Sequence, residues 1–126
     1  MDVAGATALA LFAVVAVFQL MLAAGAPWGA AAWGGGHPGV LPARLRVASG
    51  LTGAVVYPLL ALYVIAAAGW AGLSWLPGPR VAMWVLFGFF TLGILTNGMS
   101  RSPIERIWAP VNLALAVCCL VLALGG

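Results

Sequence analysis

The chain has 126 residues, of which 65% are hydrophobic and only 6% are charged. A soluble globular domain carries about 25% charged residues, so this composition cannot cover a water-facing surface. The basic residues are five scattered arginines without a basic run among aromatic residues, which excludes a nucleic-acid-binding protein. We therefore predict an integral membrane protein whose constant partner is the lipid bilayer.

Four apolar segments follow one another along the chain. A helix that crosses a bilayer needs about 20 residues. We predict a single transmembrane domain over residues 1–126, with helices at about 3–25, 42–70, 81–99 and 103–124. The fold class is an all-α membrane protein, a four-transmembrane-helix bundle that runs up-down-up-down, with both termini on the same, outer side.

Prolines indicate where two of these helices begin and where they bend. Pro42 is expected at the first position of the second helix, and Pro58 should kink this helix at its middle. The fourth helix is predicted to start at a capping box from Ser102 to Glu105, in which Pro103 takes the first helical position. Pro110 should bend the fourth helix one to two turns further on.

The arginines predict the orientation in the membrane. The first and third loops share one side of the bilayer and hold four of the arginines, whereas the opposite side holds only Arg80. The positive-inside rule therefore places these two loops in the cytoplasm. The four are Arg44, Arg46, Arg101 and Arg106.

Polar side chains from all four predicted helices fall near the cytoplasmic face. Buried polar groups in a span usually face the interior of the bundle, because lipid cannot satisfy them. The second and fourth helices also start on that side, and helix N-termini with nearby arginines favour an anion. We predict a ligand-binding layer formed by Gln19, His37, Arg44, Arg46, Ser49, Asn97, Ser100, Arg101, Glu105, Arg106 and Asn112, with Thr52 and Thr96 beside it.

Each of these groups also has a purely structural interpretation. The arginines set topology, and the amides of Gln19, Asn97 and Asn112 form hydrogen bonds between helices. His37, Trp28 and Trp33 are then interfacial residues of the first loop, and Glu105 caps a helix. Both interpretations stay open at the level of the sequence.

Residues for catalysis or for metal binding are scarce. The chain has one histidine, two acids and two adjacent cysteines, Cys118 and Cys119, whose side chains diverge on a helix. No pattern of metal ligands or of a nucleophile with its base is present. We predict no enzymatic activity, no catalytic residue, no metal and no cofactor.

Two motifs resemble those of a known group of proteins. They are the Gly/Trp-rich loop followed by LPARLRVAS, and the segment with Asn97, Ser100, Ser102, Glu105 and Arg106. With these motifs the chain resembles a group of small, uncharacterised bacterial four-helix integral membrane proteins. The resemblance implies a fold and no activity. We expect a multi-pass location in a bacterial inner (cytoplasmic) membrane.

Two main functional hypotheses follow. In the first, the polar layer binds or transports a small polar or anionic ligand or a lipid headgroup. In the second, the chain is a non-catalytic accessory subunit, because small residues such as Ser49 and Gly53 suit docking into a homo-oligomer or a larger membrane complex. An enzyme acting on lipid-linked substrates is a distant third.

Overall fold

The computed structural model describes residues 2–70, 72–73, 75–99 and 103–125, and these residues form helices and turns without a strand. The long helices are α1, Asp2–Ala23; α2, Ala43–Ala68; α3, Pro79–Gly98; and α4, Trp108–Ala123. Each of the first three, and α4 together with the turn before it, is long and apolar enough to cross a membrane. The predicted all-α class and the four candidate spans are confirmed.

Helix α2 changes its winding just before Pro58. It consists of an α-helical part, Ala43–Leu51, a π-helical part, Thr52–Val56, and a second α-helical part, Tyr57–Ala68. The N–H of Tyr57 donates to the carbonyl of Thr52, which is the bond of a π-helix. A proline inside a helix lacks an N–H and crowds the preceding turn, and a wider turn accommodates both effects. The irregularity predicted at Pro58 therefore takes the form of a π-helical segment.

The start of the fourth span differs from the prediction of a helix from residue 103. A 3₁₀ turn, Glu105–Ile107, comes first, and the α-helix begins only at Trp108. Pro110 stands in the first turn of α4, where backbone N–H groups have no helical partner to lose. Ser102, on which the predicted capping box depends, lies outside the described residues.

The main core lies between all four helices. Phe12 of α1, Val64 of α2, Phe90 of α3 and Cys119 of α4 are each 2% exposed or less. The ring of Phe12 packs against Phe90 at 6.0 Å and edge-on against Tyr57 at 5.4 Å between centroids. This core fixes the helices relative to one another and, as the next section describes, forms the floor of a cavity.

Loop 1, residues 24–42, is folded. It contains two 3₁₀ turns, Gly29–Ala31 and Trp33–Gly35, and the N–H of Gly29 donates to the carbonyl of Gly39 at 2.8 Å. A Cβ on residue 29 would overlap the backbone carbonyls of His37 and Gly39, so only glycine permits this approach. Ala32 and Leu41 of the loop are buried against Leu22 of α1 in a second, smaller core.

Candidate functional site: a cavity beneath loop 1

A cavity of about 680 Å³ lies between the four helices and is covered at one end by loop 1. This volume falls within the range of about 300–1,000 Å³ that is usual for sites that bind small ligands. Most of its wall is apolar. The apolar side chains that form it include Val15, Phe18, Leu60, Leu86, Phe89, Leu92, Val111 and Leu115.

Polar side chains are gathered at the end of the cavity nearest loop 1. All four helical segments contribute to this polar end, which agrees with the layer expected from the sequence. From the predicted ligand-binding set, the cavity brings together Gln19, Asn97, Glu105 and Asn112, and Thr52 and Thr96 join them.

Three of these polar groups are already engaged by the carbonyls of their own helices. Thr52 donates to Ala48 at 2.8 Å, and Asn97 donates to Gly93 at 3.0 Å. Thr96 also donates to the carbonyl of Gly93, at 3.3 Å. Each of these three side chains therefore already uses one of its donors within its own helix when a ligand reaches it.

Gln19 is different, because its Oε1 atom is buried and has no hydrogen-bond partner within the described chain. A buried acceptor left without a donor costs roughly 1–3 kcal/mol. The atom lies in the wall of a cavity large enough to admit a donor group. It is therefore the clearest sign in the site that a polar ligand is expected there.

Asn112 enters the cavity because α3 carries a glycine opposite it. A Cβ on Gly93 would stand 2.8 Å from Cγ and Oδ1 of Asn112. Real Cβ atoms do not approach other atoms so closely, so any side chain at residue 93 would displace the amide. Gly93 therefore determines the position of Asn112 at the polar end.

Glu105 is a buried acid, only 5% exposed, in the 3₁₀ turn that precedes α4. Its side chain forms part of the cavity wall. The sequence interpretation of this residue as a surface cap did not anticipate its burial. Glu105 thus brings an acidic group, and no positive charge, to the cavity wall.

Loop 1 is attached over the cavity by two tryptophan hydrogen bonds. Trp33 lines the cavity and donates from Nε1 to Oγ of Ser49 at 2.9 Å, and Ser49 is fully buried. Trp108, also in the wall, donates from Nε1 to the carbonyl of Ala31 at 2.7 Å. Trp33 has a left-handed backbone with φ of 51°, a costly conformation for a bulky residue, which its contacts must maintain.

The described arginines stand outside the cavity. Arg46 donates from Nε to the carbonyl of Ala23 at 3.1 Å, so it satisfies the C-terminal end of α1. A shallow second cleft lies beside Arg46, between the ends of α1 and α2. Arg44 and Arg106 are exposed. The cavity wall and the predicted arginine cluster are thus separate features within the described chain.

Two further predicted residues, Ser49 and His37, do not line the cavity. Ser49 accepts the bond from Trp33 behind the wall, and His37 lies in loop 1 with a buried Nδ1 that has no partner among the described residues. Ser100 and Arg101 lie outside the described residues. Nor does the described part of the chain gather three or more His, Cys, Asp or Glu residues into a group that could hold a metal ion.

Aromatic residues of this site were not anticipated from the sequence as parts of its wall. Phe18 contacts the ring of Trp108 at 4.8 Å and stacks on Trp28 at 6.3 Å between centroids. Tryptophans beside predicted spans are typical of interfacial residues, so the pattern alone favoured that interpretation. The unusual density of tryptophan and glycine in loop 1 was the available signal for a folded cover.

Comparison of the chain with protein-family models, with curated proteins and with solved structures finds no match. The functional conclusion therefore depends on the cavity and its chemistry.

Proposed function

We propose that this chain is a multi-pass membrane protein that binds or transports a lipid-like amphiphile in the cavity between its helices. The observation that carries the proposal is a cavity with one polar end and a long apolar wall, inside a bundle of four candidate spans. An amphiphile matches both parts, because its chain replaces lipid along the wall while its head reaches Gln19 and Asn112. The proposal assigns no catalysis to the chain.

The cavity has its mouth toward the bilayer, which supplies such a ligand directly. Leu92 and Phe89 belong to the cavity wall and are nevertheless 63% and 59% exposed. Side chains that are both exposed and part of the wall mark its rim. A ligand would then enter sideways from the membrane, without crossing the loops.

The proposed topology is up-down-up-down, with loops 1 and 3 in the cytoplasm and both termini outside. Neighbouring residues of α1 and α2 support opposite directions for these two helices, because Gly5 lies against Ala68 and Gly53 lies against Ala16. The arginine bias supports the orientation. The polar end of the cavity would then face the cytoplasmic side of a bacterial inner membrane.

A matched pair of variants tests the proposal. Leu92→Trp places a large ring at the rim of the cavity, whereas Leu95→Trp makes the same change on the same helix at an exposed residue outside the wall. We expect Leu92→Trp to reduce the amount of lipid retained after gentle purification by about tenfold, equivalent to 1.4 kcal/mol, and Leu95→Trp to leave it unchanged. Native mass spectrometry of both proteins measures the retained lipid.

Equal retention by the two variants would contradict a site in the cavity. Recovery of the chain from mild detergent with protein partners and without retained lipid would instead favour the accessory-subunit hypothesis.

A further inference from the structure

We infer that the amphiphile carries a hydrogen-bond donor, a hydroxyl or an amine, on a head without negative charge, and that this donor binds Oε1 of Gln19. The inference rests on the proposed function, because it specifies the head of the ligand that the cavity would take. It differs from the anionic ligand that the arginines of the sequence indicate.

Oε1 of Gln19 is the acceptor that such a donor would bind. Oε1 of Gln19 is buried and without a partner in the described chain, and it belongs to the cavity wall. Water can donate a hydrogen bond to this atom, whereas the hydrocarbon chain of a lipid has no donor. A ligand head with an O–H or N–H satisfies the atom, whereas an ether, an ester or a quaternary ammonium does not.

Five hydrogen-bond donors of the wall are already in use within the described chain. The hydroxyls of Thr52 and Thr96 and the amide of Asn97 donate to carbonyls of their own helices. The indoles of Trp33 and Trp108 donate to loop 1 and its neighbour Ser49. The amide nitrogens of Gln19 and Asn112 also line this end, and the described chain shows no partner for them. A hydroxyl or neutral amine head could therefore donate to Oε1 of Gln19 and accept from these nitrogens at the same time.

The charge of the residues that line the cavity also bears on the head of the ligand. Glu105 lines the cavity, and none of the arginines in the described part of the chain does. A buried anion needs a cation or several donors to replace its hydration. The described wall offers a phosphate or carboxylate head no cation and contains the buried acid Glu105, so an uncharged or cationic head is favoured.

Four probes share the same chain length and differ only in the head group, so they test the head separately. Oleyl alcohol and oleylamine both donate, and the amine also carries a positive charge. Oleyl methyl ether only accepts, and oleate is an anionic acceptor. Titration of the delipidated protein with each probe, followed by native mass spectrometry, gives relative dissociation constants, and the alcohol and amine distinguish a neutral from a cationic head.

We expect the alcohol, the amine or both to bind about tenfold more tightly than the ether and the oleate, a difference of 1.4 kcal/mol. Gln19→Met keeps the length of the side chain and removes the acceptor. In this variant the alcohol and ether should bind within about twofold of each other, with the ether unchanged from the parent protein. Thr91→Val is the control, because its hydroxyl donates to the carbonyl of Phe87 on the same helix and lies outside the cavity wall, and it should keep the preference.

The outcomes distinguish a failure of the donor inference from a failure of the proposed function. Binding that Leu92→Trp weakens, with the ether or oleate as tight as the alcohol and amine, overturns the donor inference and leaves the cavity site standing. No saturable binding of any probe, or binding that Leu92→Trp does not weaken, overturns the proposed function itself. The comparison of probes on the parent protein decides the inference even where Gln19→Met fails to fold.

Discussion

The packed half of the bundle and the half beneath loop 1 use the same four helices but fill the space between them differently. In the packed half, Phe12, Met83 and Phe90 are buried in the main core, each 2% exposed or less. In the half beneath loop 1, Leu22, Ala32 and Leu41 of the described chain form a second, smaller buried cluster, and the cavity lies beside it.

Local irregularities lie where the two halves part. The π-helical segment Thr52–Val56 and the 3₁₀ turn Glu105–Ile107 both contribute residues to the cavity. Lipid is as apolar as a helix surface, so helices in a membrane are held by close packing and hydrogen bonds. A bundle that gives up close packing in one half therefore needs another source of stability there, and loop 1 with its tryptophan bonds provides it.

The largest effect is expected from breaking the packed half. Phe90→Ala removes a ring that is 1% exposed and leaves a void, so the free energy of unfolding should fall by roughly 3–5 kcal/mol. Phe89→Ala is the neighbouring control, since that ring is 59% exposed, and its loss should stay below about 1 kcal/mol. Reversible unfolding in mixed micelles measures both. Equal losses would remove the contrast between packed core and cavity rim.

A smaller effect is expected from loosening loop 1. Gly29→Ala forces a methyl group into the carbonyls of His37 and Gly39, and overpacking of this kind destabilises by roughly 1–3 kcal/mol. Limited proteolysis should then cut the loop faster. Gly36→Ala is the matched control, because its added Cβ would meet no atom within 4 Å. Similar cleavage of the two variants would argue against a fixed loop.

The smallest effect concerns the single bond between the loop and α2. Trp33→Phe keeps an aromatic ring and removes the donor to buried Ser49, so the free energy of unfolding should fall by roughly 1 kcal/mol. Trp75→Phe, at a residue that is 68% exposed, should change it little. In the Trp33→Phe background a further Ser49→Ala substitution should be nearly neutral, and a second full loss would show that the two side chains act independently.

The four candidate spans were predictable because hydropathy along the chain indicates them. Four runs of apolar residues separated by Gly, Pro and Arg indicated the four spans, and the span ends agree to within a few residues except at the start of α4. The predicted start of the fourth helix was wrong because Pro103 and Glu105 suit a 3₁₀ turn as well as an α-helix. Tertiary contacts decide between the two.

The site was predictable only in outline. Depth along each helix placed Gln19, Asn97 and Asn112 in one layer, and the cavity contains all three. Rotation about each helix and side-chain bonding could not be deduced in the same way. The internal bond of Asn97, the bond from Trp33 to Ser49 and the outward position of Arg44 all depend on three-dimensional contacts.

The bond from Trp108 to the carbonyl of Ala31 joins residues 77 positions apart in the chain. A membrane protein is synthesised and inserted from its N-terminus, so α1 and loop 1 leave the ribosome long before Trp108 exists. The hydrogen bond that attaches loop 1 to α4 can therefore form only after Trp108 has been synthesised. A chain truncated before residue 108 would lack this attachment of loop 1 over the cavity.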